Sequence, residues 1–227
     1  MARVAPFESH TRRYERWFAQ HEAAYQSELR VLRQLMPDAG LALEIGVGTG
    51  RFAEPLGVAV GIDPSLRMLE HARQRGIGVA CAIAEALPFR HGVFDHALVV
   101  TTICFVDDAR AMLLEACRVL KPEGALIIGF IDRTSSLGRH YEAHRHESVF
   151  YRDAVFFSAD EVDRLLSETG FGERTWRQTL SQPLSETVEV EPSRPGFGDG
   201  AFVAVKAIKD AGGRSRRPAR LSGSVLT

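Results

Sequence analysis

The chain has 227 residues, 45% apolar and 25% charged, close to the globular average, which excludes collagen-like, coiled-coil and wholly disordered chains. With 28 Lys plus Arg against 29 Asp plus Glu the formal charge is −1, so no global positive field draws it toward nucleic acid or an anionic membrane. No run approaches the roughly 18 apolar residues of a membrane helix, and the N-terminus lacks the apolar centre of a signal peptide, so a cytoplasmic protein is expected. Cys81, Cys104 and Cys117 form neither a C-x-x-C pair nor a disulfide framework and read as reduced, mostly buried thiols.

Before residue 40 the pattern is helical. Phe18, Tyr25, Leu29, Leu32 and Leu35 recur at spacings of three, four and seven, and Pro37 ends the run. The stretch LALEIGVGTGRF then turns from an apolar run into three glycines at alternate positions and a segment able to open a helix. VAVGIDPSLRMLEHARQRG repeats the plan: an apolar run ends at Asp63, Pro64 opens a helix and Gly76 stops it. GVACAIAEALPF supplies a third strand ending near Ala84 and Glu85, and FDHALVVTTICF a fourth. Neither alternates cleanly, as expected of strands covered on both faces. Asp107 or Asp108 caps a helix over residues 109–120, KPEG ends it, and GALIIGFID forms a fifth strand.

After Asp132 the rhythm breaks into a polar, aromatic insertion over residues 132–157. Ser158 and Glu161 form a capping box for a helix closed at Gly170. ERTWRQTL and AFVAVKAI are two more strands, joined by a Pro- and Gly-rich connection. The last 17 residues carry four arginines and no acid and read as a disordered basic tail over 211–227. The expected organisation is a helical cap over 1–40, one domain over 41–210 and that tail. Strand and helix alternate as in a doubly wound α/β fold with helices on both faces of a mostly parallel sheet.

In such a sheet ligands bind beyond the carboxyl ends of the strands, at the turn after the first. That turn holds Gly46, Gly48 and Gly50, where glycine permits positive φ and close approach of a ligand to the backbone. A dinucleotide fingerprint wants a third glycine where Arg51 stands, and a P-loop wants a lysine that is absent. Glu44, just before the turn, suits a cation better than a pyrophosphate. Asp63 ends the second strand where a carboxylate can accept both hydroxyls of a ribose, although it could equally cap the next helix.

LEIGVGTGRF, GIDPSLRMLEHAR, AEALPF, FDHALVV and RVLKPEGALII, in this order, resemble the class I S-adenosylmethionine-dependent methyltransferases. The resemblance is tight over residues 40–131. It implies a seven-stranded Rossmann-like sheet with an antiparallel last strand, S-adenosylmethionine as cofactor, and transfer of its methyl by in-line displacement with release of S-adenosylhomocysteine. By position it assigns the cofactor's methionyl and ribose portion to Glu44, Gly46, Gly48 and Gly50, the ribose hydroxyls to Asp63, the adenine border to Ala84 and Glu85, and the floor under the methyl to Thr101, Thr102 and Ile103. Many relatives carry an acid for the adenine amino group where this chain has Ile83, which leaves that contact to backbone groups and Glu85.

Such transfer relies on alignment and needs no obligatory acid or base, so no catalytic residue is named from the sequence. Tyr14 and Trp17 could close over the cofactor with their ring faces toward its positive sulfur. The insertion carries Arg133, Arg139, His140, Tyr141, His144, Arg145, His146, Tyr151 and Arg152, which read either as a polar lid whose basic character suits an anionic small-molecule acceptor or as a plain solvated helix face. Asp132, His140 and His144 are the candidates if a proton must leave the acceptor. His140 and His144 share a helical face but lack a third ligand, so no metal is expected. The competing readings are an RNA or protein methyltransferase, a catalytically silent cofactor-binding module and, disfavoured by Arg51, a dehydrogenase.

Overall fold

The computed structural model describes residues 4–211. The tail expected over 211–227 therefore lies, but for Ala211, outside the described residues. One sheet organises the chain. Its strands are β1 (Ala42–Ile45), β2 (Val60–Asp63), β3 (Gly78–Cys81), β4 (Phe94–Val100), β5 (Leu120–Ile131), β6 (Phe171–Thr179), β7 (Arg194–Pro195) and β8 (Phe202–Lys209). Their spatial order is β3-β2-β1-β4-β5-β8-β6-β7. The first five pair in parallel, and β8 runs antiparallel between β5 and β6. This is the doubly wound, Rossmann-like sheet anticipated, with one addition: β7, two residues long, extends the edge beside β6 as an eighth strand.

Both faces of β4 are buried, which explains its missing alternation, whereas β3, at the sheet edge, is exposed or half-buried along its length and is not covered on both faces as expected. Along β4, Ala97 and Val99 enter one core while Leu98 and Val100 enter the other. Likewise β8 sends Val203, Val205 and Ala207 one way and Phe202 and Ala204 the other. Period two is present, but each face finds an apolar partner. On one side lie α5 (Ala109–Val119) and α7 (Ala159–Glu168), through Met112, Leu113, Ala116, Val162 and Leu166. On the other lie α3 (Glu22–Leu35) and α4 (Leu66–Gln74), through Leu29, Leu32, Leu35 and Leu69. Asp108 caps α5, and Ser158 with Glu161 forms the expected capping box on α7.

Several local expectations are corrected. The N-terminal run is not one helix but α1 (Ala5–Ser9), α2 (Thr11–Gln20) and α3, broken at His10 and His21. Residues 51–57 form turns rather than a helix. Pro55 has no N–H to continue a ladder, and Gly57 at φ +70° ends it. The third strand stops at Cys81, which leaves Ala84 and Glu85 in the turn beyond it. KPEG lies inside β5, where Glu123 takes φ +61° beside a register shift against β4. Cys81 is exposed, not buried. The insertion forms α6 (Ser136–Ala143) and a short 3-10 turn at Arg145–Glu147. No helix among the described residues is long and apolar enough to cross a membrane.

Candidate active site

The carboxyl ends of β1, β2 and β4 meet where the strand order reverses, and the glycine turn after β1 lies across them. Gly46 takes φ +76° and Gly48 φ +53°, conformations that L side chains resist. A Cβ on Gly46 would stand 2.3 Å from Thr102 Oγ1, so only a glycine lets the turn lie against the end of β4. Asp63 ties the turn to β2: its Oδ2 accepts Gly48 N–H at 3.0 Å and its Oδ1 accepts Ser65 N–H at 2.8 Å. Ser65, not Asp63, caps α4, accepting from Met68 N–H. Burial pushes the Asp63 carboxyl up to about 6, although these two amides pull it down.

A cavity of about 700 Å³, its open mouth included, lies over this turn. Its wall brings together Tyr14, Gly46, Gly48, Asp63, Ala84, Glu85, Thr101 and Thr102, eight of the residues expected from the sequence. Three others stand apart, the first being Ile103, which is 1% exposed in the core and does not line this cavity. Gly50 packs under Ile77, where a Cβ would meet Cδ1 at 2.5 Å. Glu44 is buried beneath the turn with Oε2 unpartnered, and desolvation drives its carboxyl well above the ordinary range. Glu85 has a structural duty besides, because Oε1 accepts the N–H groups of Asp107 and Asp108 ahead of α5. Thr102 Oγ1 donates to Val100 O at 3.0 Å and fixes the strand end. Thr101, on the cavity wall, takes φ +49°, an outlier for a β-branched residue. No arginine or lysine lines this cavity among the described residues, so it offers nothing to a pyrophosphate.

Missed from the sequence are the apolar wall residues Phe7, Met68, Val106 and Phe105, together with Ile83. Ile83 stands where the resemblance implies an acid in many relatives. Also missed was Glu15 on α2, which accepts from Thr49 Oγ1 and is paired with Arg51 and Arg75, clamping the helical cap to the glycine turn.

A second, larger chamber of about 1640 Å³, again with its mouth, opens beyond the first. The two share Phe7, Tyr14, Thr101 and Phe105. Trp17, Phe18 and Phe52 on one side and Tyr141, Phe150 and Tyr151 on the other make its walls aromatic, and the 132–157 insertion roofs it. The basic lid does not materialise inside it. Arg133 pairs with Glu161 at 2.9 Å, Arg139 donates to Thr134 O, and Arg145 and Arg152 are not among the lining residues. His140 and His144 lie at the rim with ring centroids 4.3 Å apart. No group of three or more His, Cys, Asp or Glu able to hold a metal occurs among the described residues. Asp132 lies outside both cavities, its carboxylate accepting from Thr134 N–H, Thr134 Oγ1 and Ala159 N–H.

The unexpected lining residue is Glu28. It is 3% exposed on α3, and burial pushes its carboxyl up to about 8. A signal existed: Glu28 stands three residues after Tyr25 and four before Leu32, on the apolar stripe itself.

Residues 43–128 match a family model described as a methyltransferase domain. A solved structure from Thermotoga maritima, described as an S-adenosylmethionine-dependent methyltransferase and "possible histamine N-methyltransferase", is similar at 49% identity, covering 91% of this chain and 99% of that one, with a TM-score of 0.89. An uncharacterised protein of Methanocaldococcus jannaschii is 43% identical over 203 residues, 89% of this chain and 98% of its own length. A ubiquinone/menaquinone biosynthesis C-methyltransferase of Desulfotalea psychrophila is 36% identical over 101 residues, 40% of this chain and 41% of its own.

Proposed function

The chain belongs to the class I S-adenosylmethionine-dependent methyltransferases, and from that membership we propose that it methylates a small molecule held in the aromatic chamber. The residues of the first cavity suit the cofactor. Gly46 and Gly48 leave the backbone bare, and Asp63 keeps acceptor lone pairs for a ribose diol beyond the two amides it already serves. Met68, Ile83 and Val106 offer apolar walls for a planar base. Acids in and under the wall, with no arginine or lysine among the described lining residues, favour a cationic nucleoside over a phosphorylated one. When bound, S-adenosylmethionine supplies a methyl group already activated on a sulfonium.

The chain's own residues then have to align and to exclude water. Tyr14 stands over Gly48, its hydroxyl 3.2 Å from where a Cβ would be, and borders both cavities. With Phe7, Thr101 and Phe105 it frames the opening through which an acceptor would meet the methyl. Holding the reacting atoms in line is worth about 7–11 kcal/mol at best, so a rigid frame can carry the rate without a dedicated acid or base.

The observation carrying the small-molecule reading is that shared wall: the acceptor side is a chamber under a roof, not an open basic groove. The description of the Thermotoga protein as a possible histamine N-methyltransferase agrees with an acceptor of that size. The test uses methyl-labelled S-adenosylmethionine with a metabolite extract, a transfer RNA pool and a protein extract in parallel. Label should enter the acid-soluble metabolite fraction; label confined to RNA or protein would overturn the reading, and no transfer anywhere would favour a silent binding module.

A further inference from the structure

We propose that the aromatic chamber takes an acceptor carrying a protonated amine, and that the Glu28 carboxylate is the group that binds it. The inference rests on the small-molecule reading above and deepens it. Glu28 comes from the middle of α3 and reaches the chamber while only 3% exposed. Its carboxylate has no hydrogen-bond partner among the described residues, and burial is the sole cause of its raised pKa. A buried acid facing a cavity without a partner is costly unless something neutralises it. Asp132, equally buried, is satisfied three times over, accepting from Thr134 N–H, Thr134 Oγ1 and Ala159 N–H. Of these two acids, Glu28 is the one that lines the chamber and is left for a ligand to complete.

The surroundings suit a cation. Trp17, Phe52 and Phe150 present aromatic surface, which attracts an ammonium more strongly once water is excluded. Tyr141 and Tyr151 lie within electrostatic reach of Glu28, and burial, with the acid adding to it, keeps their phenols protonated. Among the described lining residues the basic side chains are Arg13, His140 and His144, exposed at the rim, and His21, half-buried with its Nδ1 3.1 Å from Trp17 O. The chamber wall therefore holds a buried acid, which suits a cation rather than an anion.

The ligand is tested with three isosteric probes, 2-phenylethylamine, 2-phenylethanol and 3-phenylpropanoate, titrated calorimetrically into the full chain with and without saturating S-adenosylhomocysteine. The amine should bind about tenfold or more tightly than the alcohol, and the acid should give no heat. Glu28→Gln should remove the amine preference and leave binding of the alcohol and of S-adenosylhomocysteine within about twofold. The proposal is overturned if the wild-type protein binds alcohol or acid as well as amine, if no probe binds, or if Glu28→Gln retains the preference. The wild-type comparison stands even if the variant does not fold. Failure of S-adenosylhomocysteine to bind would instead strike at the cofactor-site reading, so the two failures are separable.

Discussion

Arg51, just past the glycine turn, grips Glu15 of α2 in a forked ion pair, with Nη2 at 2.6 Å and Nε at 3.1 Å from Glu15 Oε2. Arg75 at the end of α4 reaches the same oxygen at 3.2 Å. Burial alone would push the Glu15 carboxyl up, but its bonds to Arg51 and Thr49 hold it below the ordinary range. Arg51 occupies the place where a dinucleotide fold needs a glycine for close packing of its helix. Here that place carries a side chain that fastens the roof helix to the turn it covers.

Replacing Arg51 with Ala should therefore act through Tyr14, one residue from Glu15. Both partners of the pair are partly exposed, so global stability should fall by about 1 kcal/mol or less. Affinity for S-adenosylmethionine should drop about three- to tenfold, and amide exchange over Thr11–Gln20 should quicken. Unchanged affinity and unchanged exchange would mean the clamp does not govern the roof.

Asp63 makes a prediction with a pH axis. With its carboxyl pushed up to about 6 in the empty cavity, the group is ionised above that value and protonated below it. Only the ionised form accepts from both hydroxyls of a diol without a proton in the way. Affinity for S-adenosylmethionine should fall as pH is lowered through about 6, with Glu8 of α1 the other charge acting on this group. Asp63→Ala should bind at least about tenfold more weakly and lose that dependence. A wild-type affinity flat between pH 5 and 8 would count against the assigned ribose contact.

Two glycines of positive φ separate conformational need from close approach. Gly57 at φ +70° has nothing within 4 Å of a built Cβ, so Gly57→Ala should cost about 1 kcal/mol of strain. Gly46 adds overlap with Thr102 to the same strain, and Gly46→Ala should cost about 2–4 kcal/mol and displace the cofactor turn. Urea denaturation of both variants measures the difference; equal losses would deny the close packing of turn on strand.

The parts legible in the sequence were those with local signals. Apolar runs ended by Gly46 and Asp63 declared the strand ends, and Ser158 with Glu161 declared a helix start. What escaped depended on contacts distant in sequence. The cap's breaks at His10 and His21 carry no Gly or Pro to announce them. Thr101, just past β4, takes φ +49° while its amide bonds Gly129 O, a conformation that no neighbouring residue in the sequence announces. The arginines of the insertion allow either a basic lid or a solvated face, and Arg133 pairs with Glu161 on α7, 28 residues away. Composition reports how many charges a segment has, not which way they face.

Glu28 should cost the empty protein stability, in keeping with a group placed for a ligand. In the unfolded chain its carboxyl titrates near 4.5, whereas in the fold it is pushed up to about 8. Its folded pKa is raised, so the fold is favoured by the neutral acid and stability is lost as pH rises from about 4.5 to 8. The loss amounts to some 3–5 kcal/mol at the upper end as an order of magnitude. Glu28→Gln removes the titration while keeping the shape. The variant should melt at about the wild-type temperature near pH 5 and several degrees higher near pH 8. Adding 2-phenylethylamine at pH 8 should narrow that gap from the wild-type side, because a bound cation stabilises the carboxylate. A variant no more stable than wild type at pH 8 would show that the acid is already satisfied without a ligand.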